Sequence, residues 1–549
     1  MRQSGPAQDN PVDISSGRRI RYMEFIPFWG TTGGHSMRDE HIRTNPFASE
    51  LREYVQDSKT FYCMPGHKQG KGAPQLLKQL WGDKVFSYDL TEVSKSDVLA
   101  FPKHVLLHAQ NRAAQIMGAA RTWFLVNGSS VGIHAILGAL VKPGEKVLVH
   151  RECHKALLTG LIFSGAVPIY LEPVPNLPEY AYGSVYLEKI EELLTLHDVK
   201  LVMVTSPNYF GISLDIPAIS EICHAHQAPL FVDEAHGTHF SFHSDFPSPA
   251  LRSGADYSVQ SMHKTLGGLY QTALLHSAGT DQTMDERIDL MLSLLQSTSP
   301  SALFLMSIDA ALTEASELGT HRYSDLLEML DTVRGQLNSS EFIMVEPPEG
   351  VLAAGGFSAS DPLKLIFRCA EREEINLIRI KDILSESHGI EIELAGQKHL
   401  LLTLSMADAI DVAQTRENLI FFSQVIDELV QNGFGDILEE DDFVDTRELP
   451  VFELTPRDAF YAPKKRVLLN ESEYAISASL VSIYPPGFPL IIPGERINDA
   501  AIHKLYHDHE LGFTIIGITE VEDQLYIDVI EESGQQLLSE GTDDLSYGA

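Results

Sequence analysis

Cysteine and positive charge are both scarce in this chain, and each shortage removes a class of protein. Its 4 cysteines, at positions 63, 153, 223 and 369, form no CxxC pair. Neither a disulfide-stapled scaffold nor a thiolate metal knuckle is therefore written in the sequence, and free thiols fit a reducing cytoplasm. Against 76 acidic residues stand 41 lysines and arginines, a formal charge of −35. So acidic a chain is expected to bind neither nucleic acid nor an anionic membrane surface. Nowhere does it hold the roughly 18 consecutive apolar residues of a membrane span, and its N-terminus lacks the apolar stretch of a secretory signal. A cytoplasmic location is expected. Much of the acid lies in local runs, Asp436 to Asp442 and the tail after Glu520, which read as solvated linker and tail.

What is present is the composition of an ordinary globular protein, 44% hydrophobic and 21% charged over 549 residues, enough chain for roughly three domains. From about residue 100 helical and strand patterns alternate. Apolar runs at Thr122 to Val126, Lys146 to Val149, Pro168 to Leu171, Leu201 to Thr205, Pro229 to Asp233 and Tyr257 to Gln260 read as buried strands. Helical stretches such as Leu187 to Leu196 and Ile216 to His226 lie between several of them. That order predicts an α/β fold, a mostly parallel sheet with helices on both faces and ligand groups at the strand ends. The expected organisation is a partly disordered extension over 1–47, a large cofactor-binding domain over 48–335, a small α/β domain over 336–435, an acidic linker over 436–448 and a C-terminal α+β domain over 449–549. An apolar patch at Phe25 to Trp29 gives the extension something to dock with.

Two strand ends carry the chemistry. Asp233 closes the run Pro229 to Asp233, and Lys264 follows Ser261-Met262-His263 after the run Tyr257 to Gln260. Pyridoxal phosphate needs a lysine amine for its aldehyde, a carboxylate for its pyridine nitrogen and donors for its phosphate. Upstream, the run Thr122 to Val126 breaks at Asn127-Gly128-Ser129-Ser130 and enters a helical pattern. Such a turn sets N–H groups and hydroxyls at the positive end of a helix dipole, where a phosphate is stabilised. Each element alone has a plain structural reading, a turn acid or an ordinary cap.

Together the motifs resemble the Orn/Lys/Arg decarboxylase family. The segments that carry the resemblance are Phe61 to Lys68 with Met64-Pro65-Gly66-His67, Asn127 to Ser130, His154-Lys155, Asp233 to Gly237, Ser261 to Lys264, Ser297 to Ser301, and Tyr484 to Gly487 through Pro493-Gly494-Glu495. They run in family order over most of the chain. The resemblance implies the aspartate-aminotransferase-like fold type I with pyridoxal 5'-phosphate, in a short form without the N-terminal wing domain of larger members. It implies decarboxylation of arginine, lysine or ornithine to agmatine, cadaverine or putrescine, in polyamine biosynthesis. Lys264 would hold the cofactor aldehyde, Asp233 the ring nitrogen, and His154 would stack on the ring. Ser129, Ser130, Ser261 and His263 would hold the phosphate, with His236 near the phenolic oxygen. The segment Ser297 to Ser301 would reach the cofactor of a neighbouring subunit, implying a site shared across a homodimer or higher homo-oligomer. Asn208, Glu152 and Ala156 depart from the family's usual Thr, Asn and Ser.

A basic substrate needs a distal anion, for which Glu495 and Glu92 are the candidates. Lys264 and His154 both stand as donors of the proton that replaces carbon dioxide. Other reactions share the lysine, aspartate and phosphate loop, and an aminotransferase would grip the substrate carboxylate with an arginine, for which Arg368, Arg372 and Arg379 are available. A catalytically silent regulatory relative is the alternative outside enzymes. No metal is expected: His236, His239 and His243 lack a completing acid or cysteine at ligand spacing, and His503, His507 and His509 read as surface groups.

Overall fold

A computed structural model of the protein describes residues 45–531, apart from 58, 94, 339–341, 346–348, 370–374, 397, 435–450 and 485–486. The expected linker 436–448, Arg372, and the extension up to residue 44 lie outside the described residues.

Seven strands build the central sheet: β1 (Arg121–Leu125), β2 (Lys146–His150), β3 (Val167–Leu171), β4 (Val199–Thr205), β5 (Leu230–Asp233), β6 (Tyr257–Ser261) and β7 (Ala273–Ser277). Their order is β1-β7-β6-β5-β4-β2-β3. β7 runs antiparallel to β1 and β6, and every other pairing is parallel. Successive side chains alternate between two cores. Val147, Val149, Leu201, Met203 and Phe231 enter one, while Leu148, Val202, Val204, Leu230 and Val232 enter the other. Burial on both faces is why these strands read as unbroken apolar runs rather than as alternating ones.

The first core is closed by α1 (Gly128–Leu140), α2 (Lys155–Ser164) and the helix Gln282–Leu295. Gly132 lets α1 settle onto the sheet, because a Cβ there would lie 2.8 Å from Val259 and 3.0 Å from Leu125. The second is covered by Leu187–Leu196 and Ile216–Ala225. A third, shared with the long helix α3 (Ala302–Leu337), holds Phe47 and Leu51 of the helix Pro46–Gln56. Within it, Asp309 of α3 accepts the N–H groups of Phe47 at 2.9 Å and Ala48 at 3.1 Å. Position 47, expected at the end of a loose extension, is thus fixed in the core, at 0% exposure.

Beyond α3 an antiparallel sheet takes the strands Leu394–Ala395, His399–Thr403, Lys364–Cys369 and Phe342–Val345 in that order. The helices Leu377–His388 and Val412–Gln431 pack with it in the core that α3 also enters. After residue 450, small antiparallel sheets and the helix Asp499–Glu510 enclose a core of Leu469, Val481, Ile491, Ile497, Leu505 and Ile527. A mostly parallel sheet with mixed units behind it is the expected fold class.

Candidate active site

The parallel strands deliver their side chains at one edge of the sheet. β4, β5 and β6 end there at Thr205, Asp233 and Ser261, and Asp233 lies in register with Thr205. The chain leaves β6 into a one-turn helix, Met262–Thr265, that carries Lys264. The Lys264 amine stands 2.9 Å from His236 Nε2. Lys264 keeps solvent-accessible surface, yet it sits in a recess whose walls crowd the amine. That desolvation lowers its pKa below the ordinary 10.5, against the opposing charges of Asp233 and Glu393.

Asp233 is 6% exposed. Burial raises its pKa, while the Lys264 charge and the N–H of Ala235, 3.2 Å from Oδ1, pull it down. A buried carboxylate answered by one backbone N–H suits a protonated ring nitrogen. His154 caps α2, accepting the N–H of Ala156 at Nδ1 over 3.2 Å. A ring that accepts at Nδ1 carries its proton on Nε2 when neutral. Neutral it is, since crowding first and the Lys264 charge second push its pKa down to about 4.

At the phosphate end, no side chain caps α1, and Ser129 and Ser130 occupy its first turn half-buried. The Ser261 hydroxyl is fully buried without a hydrogen-bond partner. An orphaned hydroxyl and an uncapped helix N-terminus fit a phosphate, so the donor set suits pyridoxal phosphate. His263 Nδ1 lies 3.0 Å from the carbonyl of Thr272 and donates to it. Any phosphate contact from His263 therefore falls to Nε2, which carries a proton only in the cationic ring.

Glu495 has a different partner from the one expected. It is 1% exposed and pairs at 2.9 Å with Arg151, itself 2% exposed, while accepting the N–H of Ile492 at 2.7 Å. Arg151 also donates to the carbonyls of Pro489 at 2.9 Å and Leu490 at 3.0 Å. The pair therefore fastens the C-terminal unit to the end of β2. Gly494, at φ +96°, turns the chain inward here, where a Cβ would meet the Leu454 carbonyl at 2.2 Å. Glu92 stands apart with Ser297 and Thr298 around a cavity of about 190 Å³, its Oε1 accepting the N–H of Leu99 at 3.2 Å.

The departures from family pattern have local causes. Asn208 donates to the carbonyls of Tyr180 and Tyr182, each at 2.9 Å, and accepts the N–H groups of Phe210 and Ile212, each at 3.0 Å. It closes the loop after β4 with every polar atom engaged. Glu152 accepts the N–H of Gly183 at 2.6 Å. Among the described residues no group of three or more His, Cys, Asp or Glu is placed to hold a metal. His239 instead approaches Asp361 at 3.1 Å. Arg368 and Arg379 are exposed on the second sheet and its helix.

Sequence reasoning missed three residues. Tyr209 packs on His236 with ring centroids 4.9 Å apart, its hydroxyl donates to Glu393, and Lys364 stands 5.7 Å from its ring. Tyr209 follows a strand end and carried a signal in that position. Glu393 and Lys364 come from the second sheet and carried none.

A family model described as Orn/Lys/Arg decarboxylase, major domain, matches residues 45–411, and a second, for the C-terminal domain, matches residues 442–508. The chain is 33% identical to arginine decarboxylase of Bacillus subtilis, over 86% of this chain and 95% of that protein. It is 31% identical to arginine decarboxylase of Halalkalibacterium halodurans, over the same shares, 86% and 95%. Among solved structures, lysine decarboxylase A from Pseudomonas aeruginosa superposes with a TM-score of 0.76 at 22% identity, covering 90% of this chain and 81% of that one.

Proposed function

Because the chain belongs to the Orn/Lys/Arg decarboxylase family, we propose that it releases carbon dioxide from a basic amino acid, arginine ahead of lysine and ornithine, with pyridoxal 5'-phosphate held by Lys264. The carrying observation is the meeting of Lys264, buried Asp233 and the unpartnered Ser261 hydroxyl at one sheet edge. Arginine comes first because the relatives that match over most of both lengths bear that name.

When bound, the cofactor supplies an aldehyde that condenses with amines and an electron sink for the pair left as carbon dioxide departs. Asp233 would keep a proton on the ring nitrogen, and the recess that desolvates Asp233 would strengthen that contact. Ser129, Ser130 and Ser261, with the N-terminus of α1, would hold the phosphate. His154, neutral, adds no positive charge over a cationic ring. Two atoms stand to return a proton to the substrate carbon, Lys264 Nζ and His154 Nε2. His236 accepts from the ammonium of Lys264 at 2.9 Å and so fixes where that amine waits.

A second copy of the chain belongs to this reading. Ser297, Thr298 and Ser299 are exposed, and large apolar side chains are bare in the single chain, among them Tyr62 at 93%, Tyr270 at 80% and Leu294 at 69%. Homodimer formation would cover such surface. A cytoplasmic enzyme of polyamine biosynthesis completes the proposal, resting on the thiol usage and on the family.

The test is release of carbon dioxide and amine from purified, cofactor-loaded protein given arginine, lysine and ornithine separately. Release with one of them supports the reading and names the substrate. No release from any, with the cofactor's visible band present, overturns it.

A further inference from the structure

His154, expected over the cofactor ring, is aimed by its own backbone. Among the described residues its ring makes one hydrogen bond, accepting the N–H of Ala156 at 3.2 Å within the first turn of its own helix. The side chain also keeps exposed surface, so packing alone does not lock it. Where the ring stands therefore follows from where the segment 151–164 stands.

The C-terminal unit grips that segment at both ends. At its start Arg151, 2% exposed, donates to the carbonyls of Pro489 and Leu490 and to Glu495, at 2.9, 3.0 and 2.9 Å. At its far end Arg457 Nη1 donates to the carbonyls of Ile162 at 3.1 Å and Phe163 at 2.8 Å. Those carbonyls lie in the last turn of α2, where no intrahelical N–H reaches them. The guanidinium also meets the negative end of the helix dipole. Gly165 closes the helix at φ +71°, and a Cβ there would come 3.3 Å from Arg457 Cδ. Between the two grips, Ile492 shares a buried core with Ala156, Leu157 and Leu161.

We infer that the C-terminal unit is the positioning element for His154, with Arg457 at one end and Arg151 with Glu495 at the other setting the segment that carries its ring. The inference rests on the decarboxylase reading, which puts the cofactor ring beside His154.

The length of α2 makes the far grip consequential. Its 10 residues span about 15 Å, so a tilt of about 5° pivoting on the C-terminal end carries His154 by about 1 Å. A misplacement of about 1 Å can cost a reaction about 100-fold. The large domain adds holds near the first turn, where Glu152 accepts the N–H of Gly183 and His134 Nε2 donates to the carbonyl of Ala156 at 3.0 Å. Neither reaches the last turn, which Arg457 holds.

The rival role is plain fastening, in which the same bonds keep two units together and His154 gains nothing. A cycle of variants separates the two. Cofactor-free wild type, Arg457→Met, His154→Ala and the double variant would be titrated with pyridoxal 5'-phosphate well below their melting temperatures. The readouts are the dissociation constant and the circular dichroism of the visible band. Positioning predicts that Arg457→Met weakens binding about 3- to 10-fold and alters the band, yet adds less than about 2-fold once His154 is gone, the non-additivity of residues that act through one contact. Arg457→Lys, which can still donate to the two carbonyls, should restore most of the affinity. In turnover kcat should fall ahead of KM, because the ring of His154 is placed against the cofactor and not the substrate side chain. Equal weakening with and without His154, or none in either background, overturns the inference and leaves a fastener. Should Arg457→Met fail to fold, Glu495→Gln, which can still accept from Arg151 but drops the charge, runs the same cycle at the other end. If the cycle is non-additive while no basic amino acid yields carbon dioxide, the decarboxylase reading falls and the positioning role stands.

Discussion

Asp233 and Glu495 are both buried carboxylates, 6% and 1% exposed, with opposite surroundings. Glu495 is met by a guanidinium at 2.9 Å and a backbone N–H at 2.7 Å. Asp233 has one N–H at 3.2 Å and the charge of Lys264. Desolvation raises both pKa values, and that of Glu495 reaches about 7. A shifted acid is therefore a poor guide to function when read alone. The informative difference is whether the protein itself completes the acid's partners. At the seam between β2 and the C-terminal unit it does, and the acid fastens two units. At the end of β5 it does not, and the proposed cofactor would complete them.

The largest expected effect breaks the open side of this contrast. Lys264→Ala should reduce carbon dioxide release to background with little change in melting temperature, because the side chain keeps solvent-exposed surface and lies outside the hydrophobic cores. A matching fall in thermal stability would place Lys264 among structural residues instead.

Next comes the closed side. Arg151→Met leaves the Glu495 carboxylate buried and unpaired, at a cost of roughly 3–5 kcal/mol in chemical denaturation. The double variant Arg151→Met with Glu495→Met should recover most of that loss, since apolar replacement of a buried pair is often neutral. Should Glu495→Gln leave stability intact while raising KM, Glu495 would be a substrate group after all and the contrast would vanish.

A smaller effect follows from the raised pKa of Asp233. In the cofactor-free chain the folded state holds this proton more tightly than the unfolded one. Stability is then fully present below the ordinary carboxylate range near 3.8 and declines as pH rises through the folded pKa. Asp233→Asn should flatten that decline and stabilise the cofactor-free protein near neutral pH by about 1 kcal/mol, even as it weakens cofactor binding. A less stable cofactor-free variant would show that Asp233 is already satisfied.

The smallest effect concerns Lys264 through Asp233. The carboxylate favours the ammonium form, so removing it should shift the pH midpoint of cofactor capture downward in stopped-flow absorbance. An upward shift would mean that the two groups do not sense each other.

The sequence announces what is local. Asp233, Ser261 and Lys264 were legible because each lies at or just past the end of an apolar run, and strand ends of a parallel sheet face the ligand. The mostly parallel sheet was legible from the same runs. β7 escaped, for Ala273–Ser277 carries His276 within its apolar run and pairs antiparallel, outside the alternation of strand and helix. The buried pairing of Glu495 with Arg151 was not legible, because an acid after Pro-Gly is normally a solvated turn charge. Only the inward turn at Gly494 and an arginine far back in the chain reveal its partner. Glu393 was invisible for the converse reason, since nothing near it in sequence marks it and only the folding of the second sheet against the loop after β4 brings it to Tyr209.

Among the described residues the edge strand β1 pairs with β7 alone, and the helix Pro46–Gln56 is held by Asp309. Both contacts bind early chain to chain made much later. At synthesis rates of about 5–20 residues per second, the helix Pro46–Gln56 of a nascent chain waits many seconds before the aspartate that holds it leaves the ribosome. Its apolar face, with Phe47 and Leu51, is bare for that interval. Protein production is thus the stage at which this molecule is open to chaperones and to premature association, and slowing translation before residue 309 should lengthen that exposure while leaving the finished protein unchanged.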